Sequence, residues 1–467
     1  MRIKSHFGAS AIALSIMAAL LFSALCFMPE RAIALSVEEE RKMGREFLAK
    51  VREYFEFVED DFASRYIDDL GHYLITPVEI KHFPFNFYIV KDSSLNAFAG
   101  PGGHIFVFSG LVEAMARADE LASVIAHEIG HVTSRHLAER IKLSRKINFV
   151  TMAGLIAGAL IGGDVGAALI AGTMAAGIQT QLHYSRSDER QADHLSFKYM
   201  QPSGFDPAGM IAVLQEMEKG RWFGTDKVPT YLLTHPTGPE RMANLDAMLS
   251  NYTAPPPKKE TARFRDIFPY FRAFLRARCL ESREAERLFK LDAERDPNSP
   301  LAHFGLGIVY KGRSEYKLAL HHLKKAWEGN PRFIPILTNI ADAYQLSGRD
   351  REAISVLKEA LKLDDEDKTA LFLLGLSYEH LGEHRKAIQL FERLASFEPV
   401  KKEVYYHLGI SYGRKNILGR AHYNFAIYYK RLGKIEKARF HIKRARDLSG
   451  DDPYLWIKIQ KEREKLR

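Results

Sequence analysis

The feature that most constrains the fold is a period of 34 residues in the C-terminal half of the chain. Small and large apolar residues recur at fixed positions in three successive copies. These are Leu306, Gly307, Tyr310, Ala319, Leu323, Ala326 and Pro331, then Ile340, Ala341, Tyr344, Ala353, Leu357, Ala360 and Asp365, then Leu374, Gly375, Tyr378, Ala387, Phe391, Leu394 and Pro399. Small residues allow helices to approach closely, and large ones fill the layer between repeats. The period therefore predicts paired helices stacked into an α-solenoid.

This spacing is that of the tetratricopeptide repeat, and it extends beyond the three clear copies. A weaker copy precedes them, with Ala285, Phe289 and Pro297 in phase, and another begins at Leu408. The phase then jumps, because the residues around Phe425 fit a repeat that starts only 17 residues later. A half repeat of one helix is therefore predicted, and it would disturb the superhelix at this point.

The sequence His127-Glu128-Ile129-Gly130-His131 carries the most specific chemistry of the chain. Apolar residues at helical spacing lead into it from Asp119, and no proline follows before Leu143, which predicts a long helix. On a helix the two imidazoles share one face one turn apart, and Glu128 is turned by about 100° from His127. The pattern predicts a zinc site with its own general base.

A catalytic zinc site usually has three protein ligands and one water, so a third ligand must lie elsewhere. Glu189 and Asp193 share one helical face, and we expect Glu189 to bind the metal and Asp193 to orient a ligand imidazole. The alternative is an exposed acidic helix face. His136 is nearer in sequence, but a continuous helix would turn it to the opposite side, in a hydrogen-bonding role.

The two motifs together resemble a known peptidase family. H-E-x-x-H followed some sixty residues later by S-R-x-x-E-x-x-A-D is similar to the zinc endopeptidases that include the prenyl-CAAX endopeptidase, the HtpX heat-shock protease and the periplasmic β-barrel assembly-enhancing proteases. The resemblance implies a gluzincin-type peptidase domain with one Zn²⁺ per chain. It also assigns Glu189 as the third ligand beside His127 and His131, and Glu128 as the general base.

A segment from Asn96 to Phe108 resembles the edge strand beside the active-site cleft of this family. Its residues form a Pro-Gly-Gly turn followed by an apolar, β-branched and aromatic run, which predicts a strand. An edge strand has free backbone groups that can pair with an extended peptide. We therefore expect Gly103, His104, Ile105 and Phe106 to bind substrate. The alternative is an ordinary core strand.

A second segment, Thr234-His235-Pro236 with Arg241, resembles the downstream His-Pro segment of the family. His235 is predicted on a loop, where its imidazole could occupy the fourth metal position and keep a resting enzyme inactive. The alternative is that His235 contacts the metal ligands or the oxyanion. Arg241 or His235 is expected to stabilise the oxyanion.

Two apolar regions raise the question of a membrane. Residues 1–34 have basic residues at positions 2 and 4, an apolar stretch and an Ala-Ile-Ala site, which predict a signal peptide and export to the periplasm. An inner-membrane anchor is the alternative. Residues 147–178 contain one charged residue, Asp164, among many Ala and Gly. A lid over the cleft, a buried hairpin and a membrane segment all fit this composition.

These signals predict a mainly α fold with a small β-sheet, in which the solenoid follows the peptidase domain. The predicted boundaries are a signal peptide at 1–34, a zinc metallopeptidase domain at 35–253, a linker at 254–265 and tetratricopeptide repeats at 266–467. The Pro-Pro-Pro run at 255–257 places the linker.

Charge is concentrated at the end of the chain. Residues 401–467 contain 18 Lys and Arg against 7 Asp and Glu, a net of +11 within a chain of net charge +9. An exported chain does not meet nucleic acid, so none is expected as a partner. Acidic protein segments, lipopolysaccharide and peripheral contact with anionic lipid are the expected partners. A solvated charged face is the alternative.

The sequence therefore predicts a periplasmic zinc metalloendopeptidase that degrades misfolded or stalled proteins. By resemblance, its substrates and partners would be unfolded outer-membrane proteins and their assembly machinery, and it would also assist assembly. The competing hypothesis is a tetratricopeptide chaperone or assembly adaptor with a latent or structural zinc site.

Overall fold

The computed structural model describes residues 35–141, 158, 184–218, 229–250, 252–398, 400–450 and 452–466. The predicted signal peptide and the apolar region at 147–178 lie outside these residues, apart from residue 158. The fold is mainly α-helical with one small sheet, which confirms the predicted class. The chain divides into two compact units, Met1–Phe57 with Ile67–Thr261 and Val58–Tyr66 with Ala262–Arg467. Among the described residues, no helix has the length and apolar character needed to cross a membrane.

The helices that precede the repeats position the site residues. Within the described ranges they are α1 (Val37–Tyr54), α2 (Asp61–Leu74), α3 (Ser109–Ala114), α4 (Ala118–Thr133), α5 (His136–Ile141), α6 (Arg186–Ser203), α7 (Gly209–Glu218), α8 (Thr230–Thr234) and α9 (Pro239–Ser250). Helix α4 carries the H-E-x-x-H motif and is buried from Ala118 to Val132, as expected for a helix in the centre of a domain.

The sheet has three strands, β1 (Asn86–Val90), β2 (Ala97–Gly100) and β3 (His104–Phe108), in the order β1-β3-β2. Strand β1 is parallel to β3, and β2 is antiparallel to it. The edge-strand prediction is therefore wrong for Gly103–Phe106, since β3 is paired on both sides. The Pro-Gly-Gly turn, with φ of 76° and 86° at its glycines, folds Ala97–Gly100 alongside β3. Strand β2 is an edge strand of this sheet.

The predicted long helix is also shorter than expected, because α4 ends at Thr133. Arg135 has a left-handed φ of 53°, which breaks the helix before α5 begins at His136. Its guanidinium forms an ion pair with the buried Glu40 of α1 at 2.8 Å and also donates to the carbonyl of Leu35. A contact with a distant helix therefore stabilises the break, which the local sequence does not signal.

The second unit consists mainly of the repeat helices. They are α10 (Lys259–Cys279), α11 (Ser282–Arg295), α12 (Pro300–Gly312), α13 (Tyr316–Gly329), α14 (Ile334–Leu346), α15 (Asp350–Leu363), α16 (Lys368–His380), α17 (His384–Leu394), α18 (Lys402–Arg414), α19 (Leu418–Arg431), α20 (Ile435–Asp447) and α21 (Pro453–Lys465). Signature residues of successive copies, including Ala319, Leu323, Ala353, Leu357 and Phe391, are completely buried. The periodic residues thus form the core of an α-solenoid, as predicted.

Two histidine pairs reveal the predicted change of phase within the solenoid. His303 of α12 and His322 of α13 approach to 3.0 Å between their Nδ1 atoms. His422 of α19 and His441 of α20 repeat this arrangement at 2.9 Å. Helix α19 therefore takes the place of a first helix in its pairing with α20, while it also packs against α18 as a second helix. This double role of α19 is what a single-helix half repeat produces.

Candidate metal centre

The site depends on the close packing of α4 and α6. A Cβ atom at Gly130 would lie 3.0 Å from the backbone of Ala192, so a larger residue there would push the two helices apart by a few tenths of an ångström. The hydroxyl of Ser196 donates to the carbonyl of Ser123 at 3.2 Å and fixes the same contact. Gly130, the second x of H-E-x-x-H, thus has a structural purpose, because it brings α6 against the histidine face of α4.

Helix α6 begins where the second motif begins. The Ser185 side chain accepts from the backbone of Asp188, whose carboxylate accepts from Ser185 in return, a capping box. Arg140 of α5 forms an ion pair with Asp188. Glu189 and Asp193 lie on the buried face of the helix, with 2% and 4% exposure. The alternative of an exposed acidic face is therefore excluded.

Four potential metal ligands converge in this buried space. They are His127 and His131 of α4, Glu189 of α6 and His235, which follows α8. The two Nε2 atoms of His127 and His131 are 3.0 Å apart, and His235 Nδ1 lies 3.4 Å from His127 Nε2. Glu189 Oε1 lies 3.0 Å from His235 Nδ1 and 3.4 Å from His131 Nε2.

These separations fit a tetrahedral zinc ion. Ligand atoms at 2.0–2.2 Å from a tetrahedral centre lie about 3.3 Å from one another, close to the distances between the four residues. Imidazole nitrogens and a carboxylate oxygen are also the donors that zinc prefers. The residues present therefore suit zinc in both geometry and chemistry.

The contacts around the ligands fix the orientation of their rings. Asp193 Oδ1 lies 2.8 Å from His127 Nδ1, as the sequence predicted, and leaves Nε2 directed at the other donors. His136 is not on the opposite side of a long helix. Because the chain turns at Arg135, His136 Nδ1 lies 3.0 Å from His131 Nδ1, and its Nε2 contacts Gln191 at 2.9 Å.

Arg241 occupies a position different from the expected oxyanion contact. Its Nε and Nη2 donate to the two oxygens of Asp193, each at 2.8 Å, and its Nη1 lies 2.7 Å from Glu189 Oε2. The three guanidinium nitrogens are therefore engaged by the two carboxylates that contact the histidines. Arg241 holds these carboxylates in place, and its expected contact with an oxyanion stays a prediction.

Comparison with known proteins identifies the family of this site. Residues 62–249 match the model of peptidase family M48, and residues 338–400 match a tetratricopeptide repeat model. The β-barrel assembly-enhancing protease of Yersinia pestis is 30% identical over 347 residues, covering 71% of this chain and 68% of that protein. The chain belongs to the β-barrel assembly-enhancing proteases of peptidase family M48.

More distant matches agree with this assignment to the M48 metallopeptidases. The β-barrel assembly-enhancing protease of Escherichia coli K12 is 32% identical over 45% of this chain and 44% of that protein. The mitochondrial metalloendopeptidase OMA1 of Schizosaccharomyces pombe is 25% identical over 51% of this chain and 69% of that protein. This M48 chain is a metalloprotease with a C-terminal repeat domain.

Burial and neighbouring carboxylates tune the two histidines of the M48 motif in opposite directions. Burial disfavours the charged form of His127, but Asp193 and Glu189 outweigh it and raise the pKa of His127 to about 9. Burial lowers the pKa of His131 well below its ordinary value, and Glu189 offsets this only in part. Burial alone would raise the pKa of Glu189, but His235 and Arg241 hold it well below the ordinary value. Glu189 is therefore an anionic donor.

Glu128 has the surroundings of a general base. It is completely buried, and among the described residues neither carboxylate oxygen meets hydrogen-bond geometry with a protein partner. Burial raises the pKa of Glu128, while His235, with Nε2 at 3.4 Å from Oε1, and the nearby backbone of Ala99 lower it in part. A raised pKa lies closer to neutral pH, and a general base is most effective when its pKa is near the pH at which the enzyme works.

Two aromatic residues of this M48 site carried no signal in the sequence. The ring of Tyr184 stacks on His131 at 3.8 Å between centroids, and the ring of Tyr231 stacks on His235 at 4.5 Å. Both hydroxyl groups are buried, and within the described structure neither has a hydrogen-bond partner. The two rings hold the ligand imidazoles in place. Tyr184 directly precedes the second motif, but a tyrosine there is indistinguishable from a core residue by pattern alone.

Proposed function

We propose that the protein is a zinc metalloendopeptidase that degrades misfolded or stalled outer-membrane proteins in the periplasm and assists their assembly. The observation that carries the proposal is the convergence of four zinc-type donors beside the buried carboxylate of Glu128. The names of the bacterial relatives, β-barrel assembly-enhancing proteases, support the link to β-barrel assembly. The signal-peptide pattern of residues 1–34 supports the periplasmic location.

In the proposed reaction His127, His131 and Glu189 hold one Zn²⁺ per chain, which supplies polarisation of the scissile carbonyl and acidification of a water. Glu128 accepts a proton from the attacking water and passes it to the leaving amine nitrogen. Asp193 keeps the ring of His127 oriented, and Arg241 holds Asp193 and Glu189. His136 has the corresponding contact with His131.

We propose that the substrate pairs with β2 rather than with Gly103–Phe106 of β3. Strand β2 is an edge strand, and the backbone of its residue Ala99 lies close enough to Glu128 to influence its pKa. A peptide that extends the sheet at this edge would pass beside the base. Backbone pairing gives affinity without a fixed sequence, which suits a protease for unfolded chains. Gly103, His104, Ile105 and Phe106 would then support β2 from behind.

The zinc assignment is tested by removing the metal. We expect about one zinc per purified chain, and we expect a chelator to abolish cleavage of α-lactalbumin whose disulfides are reduced and alkylated. Added Zn²⁺ should restore cleavage, whereas Mg²⁺ should not, because a site of three imidazoles and one carboxylate is too rich in nitrogen for magnesium. Folded α-lactalbumin is the control substrate and should resist. Cleavage that survives complete loss of zinc would contradict the proposal.

With His235 as a ligand, the proposed zinc site would have four protein ligands and no position for water. Structural zinc sites have four protein ligands, whereas catalytic sites keep one position for water. His235 is completely buried beside Glu189 and Glu128, and Tyr231 stacks on its ring. We propose that His235 is a fourth ligand in a resting form and must leave before a substrate is cleaved. This arrangement is the observation that favours a latent site over a constantly active one.

We predict that His235→Ala raises cleavage of an unfolded substrate by roughly tenfold, or causes self-cleavage, because it opens the water position without removing the other three ligands. Initial rates and zinc content of the two proteins measure this. His194→Ala, the same change at an exposed histidine of α6, is the control and should alter neither. A fall in turnover with zinc retained would reject the latch and indicate that His235 acts directly in catalysis.

For the rest of the chain we propose the peptidase domain at 35–253 and the repeats at 266–467, which the division of the chain near Thr261 supports. Of the predicted linker at 254–265, only residues 254–258 are non-helical, because α10 begins at Lys259. The repeats would recruit unfolded clients and the outer-membrane assembly machinery. The excess of Lys and Arg after residue 400 would favour acidic partners and peripheral contact with an anionic membrane.

A further inference from the structure

The second unit contains a large groove that the peptidase reaction does not use. Its volume is about 840 Å³, within the range of roughly 300–1,000 Å³ that is typical of ligand sites. Helices α14, α16, α18 and α19 contribute to its wall, together with the residues Glu59–Arg65. The groove is therefore built from the repeats and from one short segment, Val58–Tyr66, that lies far from them in sequence.

This segment is held in the repeats as a bound peptide would be. Asp61 forms an ion pair with Lys401 and accepts from the hydroxyl of Thr369 at 3.2 Å. Arg65 forms an ion pair with Asp367 at 3.1 Å. Phe62 packs edge to face against Phe274 and Phe333, each at 5.7 Å between centroids. An acidic side chain followed by an aromatic one thus makes the specific contacts of this segment.

The charges in the groove indicate what else it can bind. Asp342 is paired with Lys311 at 2.6 Å, and Glu403 is paired with Lys402 at 3.0 Å. Arg431 is different, because it donates to a backbone carbonyl and among the described residues no carboxylate lies within ion-pair distance of it. The acids that the repeats contribute to the wall, Asp342, Asp367 and Glu403, are therefore each paired with a cation. A ligand carboxylate would find its partner at Arg431.

The wall also offers apolar contacts beside these charges. Ile334, Pro335, Phe372 and Leu373 line the groove. Each is only partly buried, so apolar surface remains for a ligand to cover. A site that combines Arg431, which has no carboxylate partner among the described residues, with apolar side chains suits an amphipathic ligand of negative charge. The residues Glu59–Phe62 show that a polypeptide of this character fits.

We propose that this groove binds an acidic peptide that carries an aromatic residue, and that Glu59–Phe62 is a built-in competitor for part of the same site. A client or partner segment rich in Asp and Glu would place one carboxylate at Arg431 and another at Lys401, where it displaces Asp61. The tethered segment competes at a high effective concentration, so only peptides with additional contacts bind well. The interaction does not involve the metal centre and is independent of the proposed peptidase function.

The test is equilibrium binding to the full chain, measured by fluorescence anisotropy without turnover. The probe is a labelled peptide with the sequence of residues 57–64, Phe-Val-Glu-Asp-Asp-Phe-Ala-Ser, and the control peptide has amides in place of its three carboxylates. We expect Asp61→Asn to strengthen binding of the acidic probe by about tenfold, because it weakens the internal competitor. Thr369→Val, which removes the other contact of Asp61, should act in the same direction even if Asp61→Asn folds poorly.

The cationic side of the groove is tested in the Asp61→Asn background. Arg431→Gln and Lys401→Gln should each weaken binding of the acidic probe by about tenfold, since each removes one ion pair. Lys317→Gln, the same loss of charge at an exposed position outside the groove, should leave binding unchanged. Equal binding of the acidic and amide peptides, or equal effects of Arg431→Gln and Lys317→Gln, would overturn the proposal. Loss of binding to anionic lipid vesicles in Arg431→Gln, with no peptide binding, would overturn it as well.

Discussion

Glu128→Gln should reduce peptide-bond hydrolysis by roughly 10²–10⁴-fold, the range that general acid–base groups contribute. The amide has nearly the shape of the carboxylate but cannot accept the proton of the attacking water. The four converging donors do not include Glu128, so zinc should remain bound. Rates on an unfolded substrate, measured together with zinc content, separate the loss of the base from the loss of the metal.

The matched control for this variant is Glu139→Gln, which makes the same change at an exposed position on α5. It should retain full activity and full zinc. Any assembly-promoting activity that survives in Glu128→Gln would show that assembly does not require cleavage. Equal activity of the Glu128 and Glu139 variants would mean that another group is the base. It would then favour the hypothesis of a chaperone or adaptor with a structural zinc.

The parts of the site that the sequence predicted correctly are those in which the function requires a local pattern. His127 and His131 have to lie one helical turn apart to reach one ion, and that spacing is visible in any helix. Asp193 stands one turn after Glu189 for the same reason. Asp193 was expected to orient a ligand imidazole, and it lies 2.8 Å from Nδ1 of His127. That the two motifs contribute ligands to the same metal was inferred from the family resemblance, because no periodicity relates residues some sixty positions apart.

The errors arose where a distant contact decided the local structure. The periodicity from Asp119 onwards continues past Thr133, but the helix ends because Arg135 adopts a positive φ and binds Glu40 of α1. The break changes the environment of His136, which turns back to His131 instead of facing away. Helical periodicity depends on the residues of one segment only. It therefore gives no information on an ion pair that this segment forms with a distant helix such as α1.

The sheet shows the same limitation. Residues 104–108 were expected to be an edge strand because their composition is that of a strand, but composition does not state how many neighbours a strand has. The neighbour on each side is decided by the turn at Pro101-Gly102-Gly103 and by the parallel pairing with Asn86–Val90. Likewise nothing in the sequence indicated that two buried carboxylates bind Arg241, for which, with His235, it suggested an oxyanion contact. A buried guanidinium pairs with the carboxylates that lie nearest to it. The sequence does not show which carboxylates these are, because they depend on how the helices pack.

Glu189→Gln should weaken zinc binding by about 100-fold or more, because it replaces the anionic donor of the cluster with a neutral amide. Two imidazoles and His235 would remain. The substitution also leaves Arg241 with only Asp193 as a carboxylate partner. The positive charge of its guanidinium, no longer balanced by Glu189, would then repel the zinc ion. Competition with a chromophoric chelator measures the affinity, and circular dichroism shows whether the helices remain intact.

Two comparisons decide what a loss of zinc from this variant means. Glu240→Gln is the control, since this exposed acid forms an ion pair with Arg190 and lies outside the donor cluster. It should bind zinc like the unchanged protein. If Glu128→Gln loses zinc as severely as Glu189→Gln, Glu128 is a ligand and the assignment of the base fails. If Glu189→Gln keeps its zinc while His235→Ala loses it, the third protein ligand is His235. The proposed resting form with four protein ligands would then be wrong. In that form His235 can leave the zinc only because His127, His131 and Glu189 continue to hold it.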